Sequence, residues 1–97
     1  MSEPSIGELD IINDSDQVIC FVPIHPESAP TQERDLLRLL REDRIEPHSR
    51  RRFSRGEVPL LNVEGTHRLT LVTCNGQASP IERIDFAVGA VVTIGAF

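Results

Sequence analysis

Short hydrophobic runs recur along this chain, and clusters of turn-forming residues separate them. The runs are rich in Val, Ile, Leu and Phe, which favour strands, and the segments between them hold Asn, Asp, Ser and Gly, which favour turns. Strands of this length and spacing predict an antiparallel β-sandwich or barrel. The predicted strands span residues 7–12, 17–24, 49–55, 58–63, 67–74, 81–88 and 90–97.

A chain of 97 residues has the size of one domain with a modest core. Residues 1–6 have little to bury and are expected to fray, so residues 7–97 are predicted to form a single domain. We predict an all-β fold with one helical crossover, arranged as an immunoglobulin-like antiparallel β-sandwich of about seven strands. The chain has no Trp, so the Cys–Trp–Cys pattern of antibody domains is missing and the likeness concerns topology only.

Two local patterns are more specific. The polar residues 13–16 predict a turn that joins the first two strands as a hairpin, and Asn75-Gly76 is the strongest hairpin signal in the chain. Helical spacing of leucines predicts a helix over roughly Thr31 to Asp43, with Thr31 or Ser28 as its N-cap.

The sequence also bears on the compartment. No apolar run approaches the roughly 18 residues that span a bilayer, and residues 1–5 lack the basic and apolar regions of a secretory signal. We therefore expect a cytoplasmic protein with no membrane partner. Cys20 and Cys74 are accordingly expected to be free thiols, although in an oxidising compartment they could form a disulfide between sheets.

All ten basic residues are arginines, and they cluster although the chain carries a net charge of −5. Alternation along the third predicted strand would place Arg50 and Arg52 on one face, and Arg51, Phe53 and Arg55 on the other. This strand is either a charged edge that discourages pairing with other strands or a contact for an acidic partner. The second interpretation rests on the ability of one guanidinium group to donate two parallel hydrogen bonds to a carboxylate. Nucleic acid is an unlikely partner for an acidic chain with four aromatic residues.

The C-terminal run, residues 88–97, contains no charged side chain. One interpretation is a central strand that the core covers on both faces. The other is an edge strand that completes a homodimer or accepts a strand from a protein partner. On the second interpretation, Val92, Ile94 and Phe97 are candidate contact residues.

The remaining candidates for chemistry are weak. His25, His48 and His67 show no metal-ligand spacing, and the chain has no nucleophile elbow, phosphate loop or dinucleotide-binding motif. We therefore predict no catalytic residue and no cofactor. The expected function is a small non-catalytic interaction module that binds a protein or itself. The alternative is a binder of a metal, an anion or a metabolite, which would use the loop histidines or the strand from Arg50 to Arg55.

Overall fold

A computed structural model describes residues 7–39, 41, 44–54, 65–79, 82–85 and 89–97. The described part of the chain is mostly β, which confirms the all-β prediction. Its strands are β1 (Leu9–Asn13), β2 (Ile19–Phe21), β3 (Pro23–Pro26), β4 (Arg34–Asp35), β5 (Ser49–Phe53), β6 (Thr66–Leu69), β7 (Val72–Thr73), β8 (Glu82–Asp85) and β9 (Ala90–Ile94). A short helix, α1 (Leu36–Leu39), follows β4.

These strands form three sheets, and most neighbours in a sheet come from distant parts of the chain. β1 lies at the centre of a three-stranded sheet, antiparallel to β5 and parallel to β9. β2 pairs with β7 in a second sheet, and the third sheet has the order β4-β3-β6-β8. The first and last described strands therefore lie side by side.

One hydrophobic core joins the three sheets and α1. Strand alternation explains its composition, because every second side chain of a strand turns toward the same face. In β1, for example, Leu9 and Ile11 are fully buried, and in β5 Phe53 is fully buried opposite Leu9. The other core residues are Ile19, Val22, Ile24, Leu36, Leu37, Ile45, Leu69, Leu71, Ile84, Ala90 and Val92.

The predicted first hairpin is wrong, although its turn chemistry is present. The carboxamide oxygen of Asn13 accepts hydrogen bonds from the Ser15 backbone N–H (3.2 Å) and hydroxyl (2.6 Å). The Asn13 amide group donates to the carbonyl oxygens of Gln17 (2.8 Å) and Ile45 (3.2 Å). These bonds fix a bend. The long-range bond to Ile45 holds the bend against a distant part of the chain. β1 and β2 lie in different sheets and do not pair.

The helix predicted over Thr31 to Asp43 is confirmed only as the short helix α1 (Leu36–Leu39), and its predicted start is wrong. A short 3₁₀ turn (Pro30–Gln32) and β4 occupy its first half. The Asp35 carboxylate accepts hydrogen bonds from the backbone N–H groups of Val22 (3.0 Å) and Leu37 (3.2 Å). Asp35 therefore caps the helix four residues later than Thr31 and ties it to the core. Residues 40, 42 and 43 lie outside the described residues.

Two predicted strands are each divided between sheets. Residues 17–24 supply β2 and the start of β3, and residues 67–74 supply most of β6 and all of β7. The hairpin at Asn75-Gly76 is confirmed, because Thr73 N–H donates to the Gln77 carbonyl (2.8 Å) and Gly76 has a positive φ of 90°. The predicted strand over residues 58–63 lies outside the described residues, as do residues 1–6.

The cysteines form a disulfide, so the expectation of free thiols is wrong. Cys20 lies in β2 and Cys74 directly follows β7, and their Cα atoms are 4.9 Å apart. The alternative offered by the sequence was a disulfide between two sheets. The bridge instead links the neighbouring strands β2 and β7 of one small sheet. It closes a loop with a sequence separation of 54 residues.

Candidate functional site

The hydrogen bonds of β9 show which side of this strand faces β1. The Ala90 N–H donates to the Glu8 carbonyl (3.0 Å), and the Asp14 N–H donates to the Ile94 carbonyl (2.8 Å). Because backbone groups alternate along a strand, Ala90, Val92 and Ile94 face β1, and the N–H and C=O groups of Val91 and Thr93 face away from it. Among the described residues, β9 pairs with β1 only.

The side chains of β9 also alternate between two environments. Val92 is 4% exposed and belongs to the core, while Ile94 and Phe97 pack partly buried against it. Val91 is 52% exposed, and Thr93 is exposed on the same face. The side chain of Val92, one of the predicted contact residues, is therefore buried in the core, and Val91 is the exposed large hydrophobic residue of β9. We define the β9 edge as the outward backbone groups of Val91 and Thr93 together with the Val91 side chain.

An open strand usually carries protection against pairing with other chains. Charged side chains, especially Lys, and prolines are common means, because they make the pairing of a second strand costly. Neither occurs in β9, and residues 88–97 as a whole contain no charged side chain. The β9 edge thus combines backbone groups that pair with no other described strand and an apolar, uncharged surface.

Two arginines of the predicted arginine strand bond to a buried carboxylate of the neighbouring strand. Arg50 and Arg52 lie on one face of β5, as alternation predicts, and both bond to the same oxygen of Asp10. The Asp10 side chain is only 3% exposed, and its contact with Arg52 is 3.1 Å long. A buried carboxylate needs such charge partners. These two guanidinium groups therefore stabilise β1 against β5.

Arg51 does not join them in one patch. Arg51 lies on the opposite face, where its guanidinium carbon is 4.8 Å from the centre of the Phe53 ring. Such a contact is a cation–π interaction. Arg55 lies outside the described residues. Sequence alternation predicted this division of faces, but nothing in the sequence indicated Asp10 as the shared partner.

The three histidines do not form a common site within the described residues. His25 and His67 lie on the neighbouring strands β3 and β6, but His67 is buried and alternation turns His25 to the outer face. His48 lies elsewhere, with its ring nitrogens 3.3 Å from Asp14 and 3.0 Å from Asp16. The described residues contain no group of three or more His, Cys, Asp or Glu that could hold a metal ion.

His48 nevertheless makes one segment of the structure sensitive to pH. Hydrogen bonds to Asp16 and then to Asp14 raise the pKa of His48 above its ordinary value of 6.5. Because folding raises this pKa, protonated His48 stabilises the folded protein. The stabilisation is complete below about pH 6.5 and disappears as the pH rises through the pKa of His48 in the folded state. His67 acts in the opposite direction, because burial lowers its pKa.

We therefore expect a His48→Gln variant to lose stability relative to the wild type at about pH 5.5 but not at about pH 8.5. Urea unfolding of both proteins at both pH values measures this difference, and the comparison cancels the effect of His67. An equal difference at the two pH values would contradict the ion-pair contribution. The imidazole resonances of His48 in an NMR titration give the pKa directly.

Comparison with known protein families, with curated proteins and with solved structures found no match. No helix in the described part of the chain is long and apolar enough to cross a membrane. Within the described residues, the β9 edge is the feature with the clearest chemical consequence.

Proposed function

We propose that this protein is a small non-catalytic interaction module that self-associates through the β9 edge. The observation that carries the proposal is that β9 pairs with β1 along one side and, among the described residues, with no strand along the other. A strand with free N–H and C=O groups on one side binds another strand by main-chain hydrogen bonds. The lack of charge on β9 lets a second copy approach without like-charge repulsion.

The alternation of β9 defines the register of such a dimer. An antiparallel arrangement about a two-fold axis at Val92 overlaps all residues of β9 with those of the second copy. Val91 of one copy then lies opposite Thr93 of the other, and both present outward backbone groups. By symmetry this pair occurs twice, and each pair exchanges two backbone hydrogen bonds. The exposed Val91 side chains of both copies then lie on the outer face of the continuous sheet.

The expected dimer is weak. Four backbone hydrogen bonds contribute about 2–6 kcal/mol in total, and the loss of translational and rotational freedom on association opposes them by about 4 kcal/mol or more. The apolar contacts of Val91 have to supply the remainder. Dimerisation should therefore become evident only at high protein concentration.

Light scattering up to about 1 mM protein tests the proposal. We expect the mean mass of the wild type to rise with concentration, and we expect Val91→Lys to remain a folded monomer, because it places a charge on the edge. Phe21→Lys is the matched control, since Phe21 is 50% exposed but lies in β2. This control should dimerise like the wild type.

Two outcomes would contradict self-association through the β9 edge. A wild type that is monomeric at every concentration would show that β9 does not pair with a second copy, and a strand of a different protein would then be the candidate partner. Equal loss of the dimer in Val91→Lys and Phe21→Lys would place the interface elsewhere. Arg50 and Arg52 stay outside the proposed interface, because they already bond to Asp10.

The compartment and the finer architecture belong to the same proposal. Disulfides persist mainly in oxidising compartments, so the bond between Cys20 and Cys74 favours such a compartment over the cytoplasm expected from the sequence. The immunoglobulin-like sandwich is retained as a proposed arrangement. Its support is the single core to which the three-stranded and four-stranded sheets both contribute.

A further inference from the structure

A second surface, remote in sequence from β9, has the composition of a binding site. An open groove of about 490 Å³ lies along β4, α1 and the turn that follows the helix. Small-molecule sites commonly have volumes of about 300–1,000 Å³. The groove is lined by Glu33, Arg34, Asp35, Arg38, Leu39 and Arg41.

The three arginines of this groove differ from the other described arginines in their partners. Arg34, Arg38 and Arg41 are exposed, and none of them forms an ion pair with a described residue. Elsewhere the guanidinium groups are engaged, by an acidic side chain or by an aromatic ring. These pairs are Arg44 with Glu46, Arg50 and Arg52 with Asp10, Arg68 and Arg83 with Glu27, and Arg51 with Phe53.

The acidic residues of the groove do not neutralise this charge completely. The Asp35 carboxylate accepts hydrogen bonds from the backbone N–H groups of Val22 and Leu37, so it is committed to capping α1. Glu33 is exposed at the end of the 3₁₀ turn. Three guanidinium groups therefore face two carboxylates, and the groove is positive within a chain whose net charge is −5.

The backbone at Arg41 supports a role for its side chain. Arg41 has a φ of 57°, a left-handed conformation that favours glycine, and its N–H donates to the Arg38 carbonyl (3.1 Å). Glycine would form this turn with less strain. An arginine in this position is therefore costly for folding, which is typical of residues that serve a site.

We propose that this groove binds a small ligand with two or more anionic groups, phosphate or carboxylate. Guanidinium groups bind both kinds of oxygen in a bidentate manner, and three of them can engage neighbouring groups of one molecule. Leu39, which is 46% exposed, adds an apolar surface for the carbon skeleton of the ligand. The site is independent of the β9 edge, because it contains no residue of β1, β5 or β9.

Calorimetric titration of the full chain with pyrophosphate, and separately with citrate, tests this site. We expect binding of at least one of the two, with affinity that falls as salt is added. Arg38→Gln should weaken it by about tenfold or more, since one charge-assisted contact is lost. Arg44→Gln is the matched control, because Arg44 is exposed but ion-paired outside the groove, and it should bind like the wild type.

Arg41→Gly separates binding from folding. The substitution relieves the left-handed backbone, so the melting temperature should stay the same or rise while anion affinity falls. Stronger binding of pyrophosphate than of citrate would assign a phosphorylated ligand, and the reverse order would assign a polycarboxylate. Absence of binding by both probes, or equal weakening in Arg38→Gln and Arg44→Gln, would overturn the proposal.

Discussion

Replacement of Val92 by arginine is expected to destabilise the protein strongly, whereas the same replacement at Val91 has little effect on stability. Val92 is 4% exposed in the core and Val91 is 52% exposed. A buried charge without a partner costs about 3–5 kcal/mol, which is a large part of the roughly 5–15 kcal/mol by which a domain of this size is stable. Urea unfolding followed by circular dichroism measures both variants.

The pair of variants also tests the orientation of β9. Val91→Arg should unfold within about 0.5 kcal/mol of the wild type, because a surface substitution of this kind rarely does more. A folded Val92→Arg variant with an unchanged unfolding midpoint would contradict the placement of Val92 in the core. Loss of stability in Val91→Arg instead would mean that the strand is rotated by one residue.

Loss of the disulfide is the second large expected effect. The bond between Cys20 and Cys74 closes a loop with a sequence separation of 54 residues. Removal of a native disulfide from a small domain costs about 2–5 kcal/mol, because the unfolded chain gains conformational freedom. The double variant Cys20→Ser/Cys74→Ser should therefore unfold at a lower urea concentration than the oxidised wild type.

A reduced wild type separates the bond from the substitutions. After treatment with a thiol reductant, the wild type should unfold at the midpoint of the double serine variant. Thiol titration of the untreated, unfolded protein should find no free thiol. Two free thiols in protein isolated under oxidising conditions, or an unfolding midpoint that reduction does not change, would contradict a stabilising disulfide.

The sequence predicted the strands more successfully than their partners. Alternation placed Arg50 and Arg52 on one face of β5 and Phe53 on the other, because side-chain period is a local property. The pairing of β1 with β9 joins residues about 80 positions apart, and no local signal specifies it. The failed first hairpin has the same cause, since the bond from Asn13 to Ile45 is long-range.

The candidate site shows a similar division. The lack of charge in residues 88–97 is evident from the sequence and made β9 a candidate, but Val91 and Val92 are the same residue type. Hydrophobic pattern alone therefore could not indicate which of them faces the core. The groove arginines were not predicted as a site for another reason. A long helix was expected there, and the sequence does not show that Asp35 caps a shorter helix at Leu37 and also bonds to the backbone of Val22.

Amide hydrogen exchange of β9, measured as a function of protein concentration, tests the central claim most directly. The N–H of Val92 faces β1, so its protection should not depend on concentration. The N–H groups of Val91 and Thr93 face the open edge, so they should exchange rapidly in dilute protein and become protected as the dimer forms. Rapid exchange of Val91 and Thr93 at every concentration would contradict strand pairing between copies, and strong protection in the dilute monomer would show that the edge is already covered.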